Sequence, residues 1–254
     1  MRRMIRHIRL RRAVTALVTT SAASAAVSVG LMVSARAQAP AAKTVWTGVY
    51  TDAQAERARP TFDGICTQCH TLAPGGATRG GAVSGEKFMA AFQQKTVGDL
   101  LSYVSKNMPN GNGGSLPAST YNDLVALILR ANGFPTGTTE VSPDAVANVQ
   151  IIPRDGPGEL PANVLARVVG CLKKDGSDWV LENATAPERI DKTGPGPNDA
   201  TKPLGDKSFT LKFVLTNLNS YVGQRMSASG MLIGAGGADG INVTTVQRVA
   251  ETCP

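Results

Sequence analysis

Histidine is almost absent from this sequence: His7 and His70 are the only two in 254 residues, and everything after residue 70 has none. A zinc site needs four ligands, so one imidazole beside two cysteines, with the remaining cysteines about 100 and 180 residues further on, argues against zinc. Aromatic residues are also scarce, at 5%, and Trp179 and Tyr221 are scattered with no basic stripe beside them. That excludes a base-stacking platform for single-stranded nucleic acid. Acidic residues are missing from 1–37, which carry seven Arg; beyond residue 37 the basic and acidic residues balance at 19 each. The net charge of +7 therefore belongs to the leader and gives no support to a polyanionic partner.

What is present starts with that leader. A basic opening (Arg2 to Arg12), an apolar stretch from Ala13 to Val33 and the small residues Ala35-Arg36-Ala37 read as a secretory signal peptide over 1–37, cut before Gln38. The expected location is a bacterial periplasm. An uncleaved leader is the alternative, and the membrane becomes a partner only in that case.

Composition then divides the chain. From Thr51 to Ala131 the apolar spacing is helical, with Tyr121, Leu124, Val125, Ile128 and Leu129 forming the clearest stripe before Gly133 and Pro135. Thr51-x-x-Gln54 can form a capping box, and Pro60 predicts a kink or restart near Arg59. Residues 138–160 are rich in Pro and Gly and read as a linker. From 161 to 254 five short strands are expected, near 165–172, 178–183, 208–214, 226–233 and 241–249, with turns at Asp175-Gly176 and Gly236 to Gly240. The expectation is a multidomain chain: an all-α domain over 43–137, then a small all-β barrel.

Cys66-Thr67-Gln68-Cys69-His70 carries the chemistry. Two cysteines three apart can each form a thioether to one vinyl group of a haem, while the adjacent imidazole bonds the iron. A thioredoxin-like pair would need a strand before it and a βαβ setting, and neither is visible. With one His in the exported chain, bis-histidine ligation is excluded, which leaves the sixth iron position to Met, another donor, water or nothing. Met89 lies between Phe88 and Phe92 in a helical run and reads as core filling; Met226 and Met231 lie in the second half. Met108, at Asn107-Met108-Pro109 where a helix enters a Gly-rich loop, is the candidate axial ligand.

Residues 46–137 resemble a class I c-type cytochrome, a small bacterial monohaem domain. The matching stretches are Tyr50 to Arg57, Cys66 to His70, Thr96 to Leu100, Met108-Pro109, Gly114-Ser115-Leu116 and Tyr121 to Pro135. The resemblance implies an all-α cytochrome c fold, one covalent haem c and His70/Met108 ligation. It also implies one-electron transport without catalysis, between a periplasmic dehydrogenase and a respiratory acceptor. Redox partner proteins follow, a quinoprotein dehydrogenase among them. Three positions depart from the pattern: Thr71, Gly81 and Pro60. A haem enzyme or ligand sensor with an open iron face is the alternative reading, and a docking module built on the second half is the third.

That second half resembles, weakly, a secreted OB-like β-domain through Val169 to Leu172, Trp179 to Leu181, Tyr221 to Gly223 and Ile241 to Thr244. It shows no nucleophile or acid/base pair. Cys171 and Cys253 stand at its two ends, and in an oxidising compartment an even pair reads as a disulfide.

Overall fold

A computed structural model describes residues 43–76, 79–237 and 240–253. The leader over 1–37, and with it the signal-peptide expectation, lies outside the described residues. Thr51 caps helix α1 (Asp52–Arg57) by accepting from the Gln54 N–H at 3.1 Å. The reciprocal half of the expected capping box is not made. The Gln54 amide is buried and exchanges two hydrogen bonds with the Val141 backbone, at 2.7 and 3.0 Å. Pro60 sits in the first turn of α2 (Arg59–Ile65), where its missing N–H costs nothing, so the chain restarts at Ala58 as its ring requires.

Helix α3 (Glu86–Phe92) holds Phe88, Met89 and Phe92 and ends at the polar Gln93. Helix α4 (Val97–Asn107) opens on a full capping box, with Thr96 and Asp99 each bonding the other's backbone N–H. Helix α5 (Ala118–Ala131) buries not only the expected stripe but also Ala126 and Leu127, because it runs through the middle of the helical core. Its end is set by Asn132 and by Gly133 at φ 73°. A short helix, α6 (Pro143–Val146), follows. Val141, Val146, Val149 and Ile151 are buried in the same core as α1 to α5. Backbone bonds tie this stretch down, from Gln150 N–H to Lys43 O and from Val97 N–H to Val149 O.

The strands are β1 (Leu165–Asp175), β2 (Asp178–Ala184), β3 (Glu188–Arg189), β4 (Lys207–Lys212), β5 (Arg225–Ile233) and β6 (Gly240–Ala250). One edge of β1 pairs with β5; the other pairs first with β3 and then with β2. β2 continues to β4, β4 pairs in parallel with β6 at Leu211 and Lys212, and β6 pairs antiparallel with β5. Every strand but β3 thus has partners on both edges, which leaves little ladder open to another chain. Leu172, Leu181, Phe209, Met226, Ala228 and Ile241 form a second core beneath the sheet.

The expected fold class is corrected by this arrangement. The chain is not an all-α fold followed by an all-β barrel: the described residues form one compact unit of α+β architecture, with a mixed, six-stranded sheet. The parallel pair arises because β5 intervenes between β4 and β6, turning the chain twice and returning it in its first direction. Short apolar runs carry no record of strand direction, and the two residues of β3 are too few to alternate. The disulfide Cys171–Cys253 is formed, with Cα atoms 5.5 Å apart, and it ties the end of the chain to β1.

Candidate functional site

Cys66 to Gln68 form a single 3-10 turn continuing α2. Its geometry gathers three chemically active side chains, since the Cys66 carbonyl accepts from both the Cys69 N–H at 3.1 Å and the His70 N–H at 2.9 Å. Cys66 and Cys69 are both half-buried free thiols. Burial pushes the Cys66 thiol up, so its thiolate is disfavoured at neutral pH.

The loop after the turn folds back over it. Arg79 and Gly80 N–H groups bond the Cys69 carbonyl at 3.3 and 3.0 Å, and His70 Nδ1 lies 2.7 Å from Gly81 O. A carbonyl can only accept, so Nδ1 carries the hydrogen of this contact. Gly80 is in van der Waals contact with the ring, and a Cβ there would fall 2.4 Å from His70 Cε1. Asn132 then fastens the far end of the loop to α5, accepting from Gly85 N–H and donating to Val83 O and Ile128 O. Thr71 Oγ1 is buried beside this turn without a hydrogen-bond partner.

Met108 is placed elsewhere in the chain, as the residue that ends α4, and its carbonyl accepts from the Tyr121 hydroxyl at 2.7 Å. Its side chain packs against the helical core, as do those of Met89 and Cys66. The core-filling role expected of Met89 is thus shared by Met108. Among the described residues no group of three or more His, Cys, Asp or Glu side chains comes together to hold a metal ion.

No family model, curated protein or solved structure matches the chain.

The expectations built on the cytochrome resemblance are corrected accordingly. The membership in class I c-type cytochromes, the covalent haem c and the electron-transport role have no metal-binding group among the described residues to stand on. The haem-enzyme and ligand-sensor alternative falls with them, and no match singles out the sheet half as a docking module or supports its OB-like resemblance. What the structure does show for cysteine is two different states: one pair is a structural disulfide, the other a pair of neighbouring thiols.

A polar cluster in the sheet half escaped the sequence reading. Arg167 on β1 and Ser227 on β5 both reach Asp199, which is buried in the 190–206 segment: Ser227 Oγ donates at 2.7 Å and Arg167 Nε lies 3.5 Å away. Glu188 bridges Arg167 at 3.2 Å and Lys202 at 2.7 Å. Burial pushes the Glu188 carboxyl up, but the hydrogen bond from Lys202 and the charges of Lys202 and Arg167 outweigh it and hold the carboxyl below its ordinary range. These charges fasten the long segment over the sheet. Alternation in β5 brings Arg225, Ser227 and Ser229 to one face, and that was the available signal.

Proposed function

We propose that the Cys66–His70 turn is a paired-thiol site in an exported protein, at which Cys66 and Cys69 are joined as one disulfide by exchange with a disulfide-bearing partner, which leaves as two thiols and so takes up the two electrons and two protons. The observation that carries this reading is the placement of two free thiols on one 3-10 turn while the other two cysteines are already joined. Export is supported by the sequence of the leader and by the Cys171–Cys253 bond, which suits an oxidising compartment. Sequestration of Cys66 makes the first reaction fall to Cys69, after which Cys66 is delivered by proximity. The loop bearing Gly80 and Gly81 holds the neighbouring imidazole in one orientation.

Peptide mapping of the full chain, isolated from the envelope of an exporting host and alkylated before any reduction, tests the reading. The expected result is that neither Cys66 nor Cys69 takes up alkylating agent, and that replacing either one by Ser exposes the other. Uptake at both positions in the unsubstituted chain overturns the proposal.

A further inference from the structure

Residues 191–206 join β3 to β4 by crossing β1 and β5, and they lie there without apolar burial. Asp199 is the only buried residue among them, and Leu204 is half-buried and belongs to neither hydrophobic core. Apolar burial is what ordinarily makes a segment inseparable from the fold, so charge and hydrogen bonds alone hold this strap down.

The face beneath it is equally polar. Alternation along β5 turns Met226 and Ala228 to the second core and Arg225, Ser227 and Ser229 away from it, and Arg167 of β1 stands opposite Ser229 on that same side. Arg225, Ser227 and Ser229 are nonetheless 5%, 3% and 1% exposed, a polar strip shut away under polar chain. Three hydrogen bonds cross between the two. Ser227 Oγ donates to Asp199 at 2.7 Å, the Gly194 N–H donates to Ser229 Oγ at 2.9 Å, and the Arg225 guanidinium donates to the Lys202 carbonyl.

Closure also has a cost. Arg167 Nε lies 3.5 Å from Asp199, and among the described residues neither it nor Arg225 Nε has a hydrogen-bond partner, although both atoms are closed off from solvent. The shut form thus gains a few hydrogen bonds and loses the hydration of two guanidinium nitrogens, a balance even enough for the strap to lift while the cores stay intact. Both ends stay fixed: the Ile190 N–H bonds Leu165 O and the Gly205 N–H bonds Asn183 O, each at 3.1 Å, and Gly194, at φ 118°, bends the chain between them as only glycine does freely. We infer that residues 191–206 are a hinged strap, latched by the Asp199 carboxylate, that opens as a whole and bares the Arg167–Ser227–Ser229 strip to solvent. It shares no residue with the paired thiols and stands or falls independently of them.

Native-state hydrogen exchange of the full, disulfide-bonded chain, read by NMR at low urea concentrations, tests the inference. The Gly194 N–H reports on the strap, and the Leu232 N–H, which bonds Val164 O at 3.0 Å, reports on the sheet. Gly194 should be protected at least about tenfold over an unstructured chain, yet exchange at least about a hundredfold faster than Leu232 and with little response to urea, because opening exposes little new apolar surface. Asp199→Asn should speed Gly194 about tenfold; since Gly194 bonds Ser229 and not Asp199, that acceleration shows the strap lifting as a whole. Ile241→Val, a change in the second core, should speed Leu232 about fivefold and leave Gly194 unchanged. Exchange of Gly194 at the rate and urea slope of Leu232, exchange at the rate of an unstructured chain, indifference to Asp199→Asn, or equal acceleration of both amides by Ile241→Val overturns it.

Discussion

At the scale of single residues, the most constrained position near the thiol pair is a glycine. A methyl group at Gly80 would lie 2.4 Å from His70 Cε1, so Gly80→Ala must push the imidazole or the loop aside. We expect a destabilisation of about 1–3 kcal/mol and loss of the hydrogen-bonded Nδ1–H resonance that the Gly81 carbonyl now protects. A persisting resonance would show that the loop yields without releasing the ring. Asp199 is the corresponding residue in the sheet half. It is 2% exposed and answers Arg167, Ser227 and the Gly196 N–H together. Asp199→Ala leaves Arg167 with Glu188 alone and takes the acceptor from Ser227 Oγ and the Gly196 N–H, and should cost about 1–3 kcal/mol in urea unfolding. A loss below about 1 kcal/mol would mean that water reaches Arg167.

At the scale of elements, two predictions concern how strands are held. The Cys171–Cys253 bond spans 82 positions, and replacing both cysteines by Ser should lower stability by about 2–5 kcal/mol, read from denaturant midpoints at constant slope. Glu188 on β3 has a depressed carboxyl, so its contribution is present at neutral pH and is lost as pH falls below the ordinary glutamate range towards its folded value. Glu188→Gln should flatten the fall in stability between about pH 5 and 3, and an unchanged acid limb would assign that fall to other carboxylates. The elements were largely legible in advance: the Tyr121 to Leu129 stripe, the restart at Pro60 and five of the six strands lie where apolar period and turn residues put them. Direction and partnership were not. Nothing in Lys207–Lys212 announces a parallel neighbour, and the side chain of Gln54 leaves its local cap for Val141, 87 positions away, a choice made by burial. At the site, the spacing of Cys66, Cys69 and His70 was plain, whereas the Gly80–Gly81 cover depends on a loop with no period to read.

At the scale of the whole molecule, two hydrophobic cores are joined by polar contacts rather than by shared apolar surface. Arg189 leaves β3 to donate to the carbonyls of Gln93 and Ala90 at 2.9 Å each, Gln94 accepts from the Arg189 N–H, and Gln93 donates to Glu159 O. Arg189→Ala removes the two side-chain donors and should weaken the coupling by about 2–3 kcal/mol, enough to split one calorimetric transition into two. A single, merely shifted transition would place the coupling elsewhere. The covalent link from β1 to the chain end has a different bearing on durability. It encloses the outlying Phe213–Leu215 stretch, the most accessible apolar sequence among the described residues and a natural place for a protease to cut. A nick there severs the backbone but leaves both pieces fastened to each other, β5 and β6 still clasped to β1. Such a clipped molecule migrates as one band until a reductant is added, so damage at its most vulnerable point does not release a fragment.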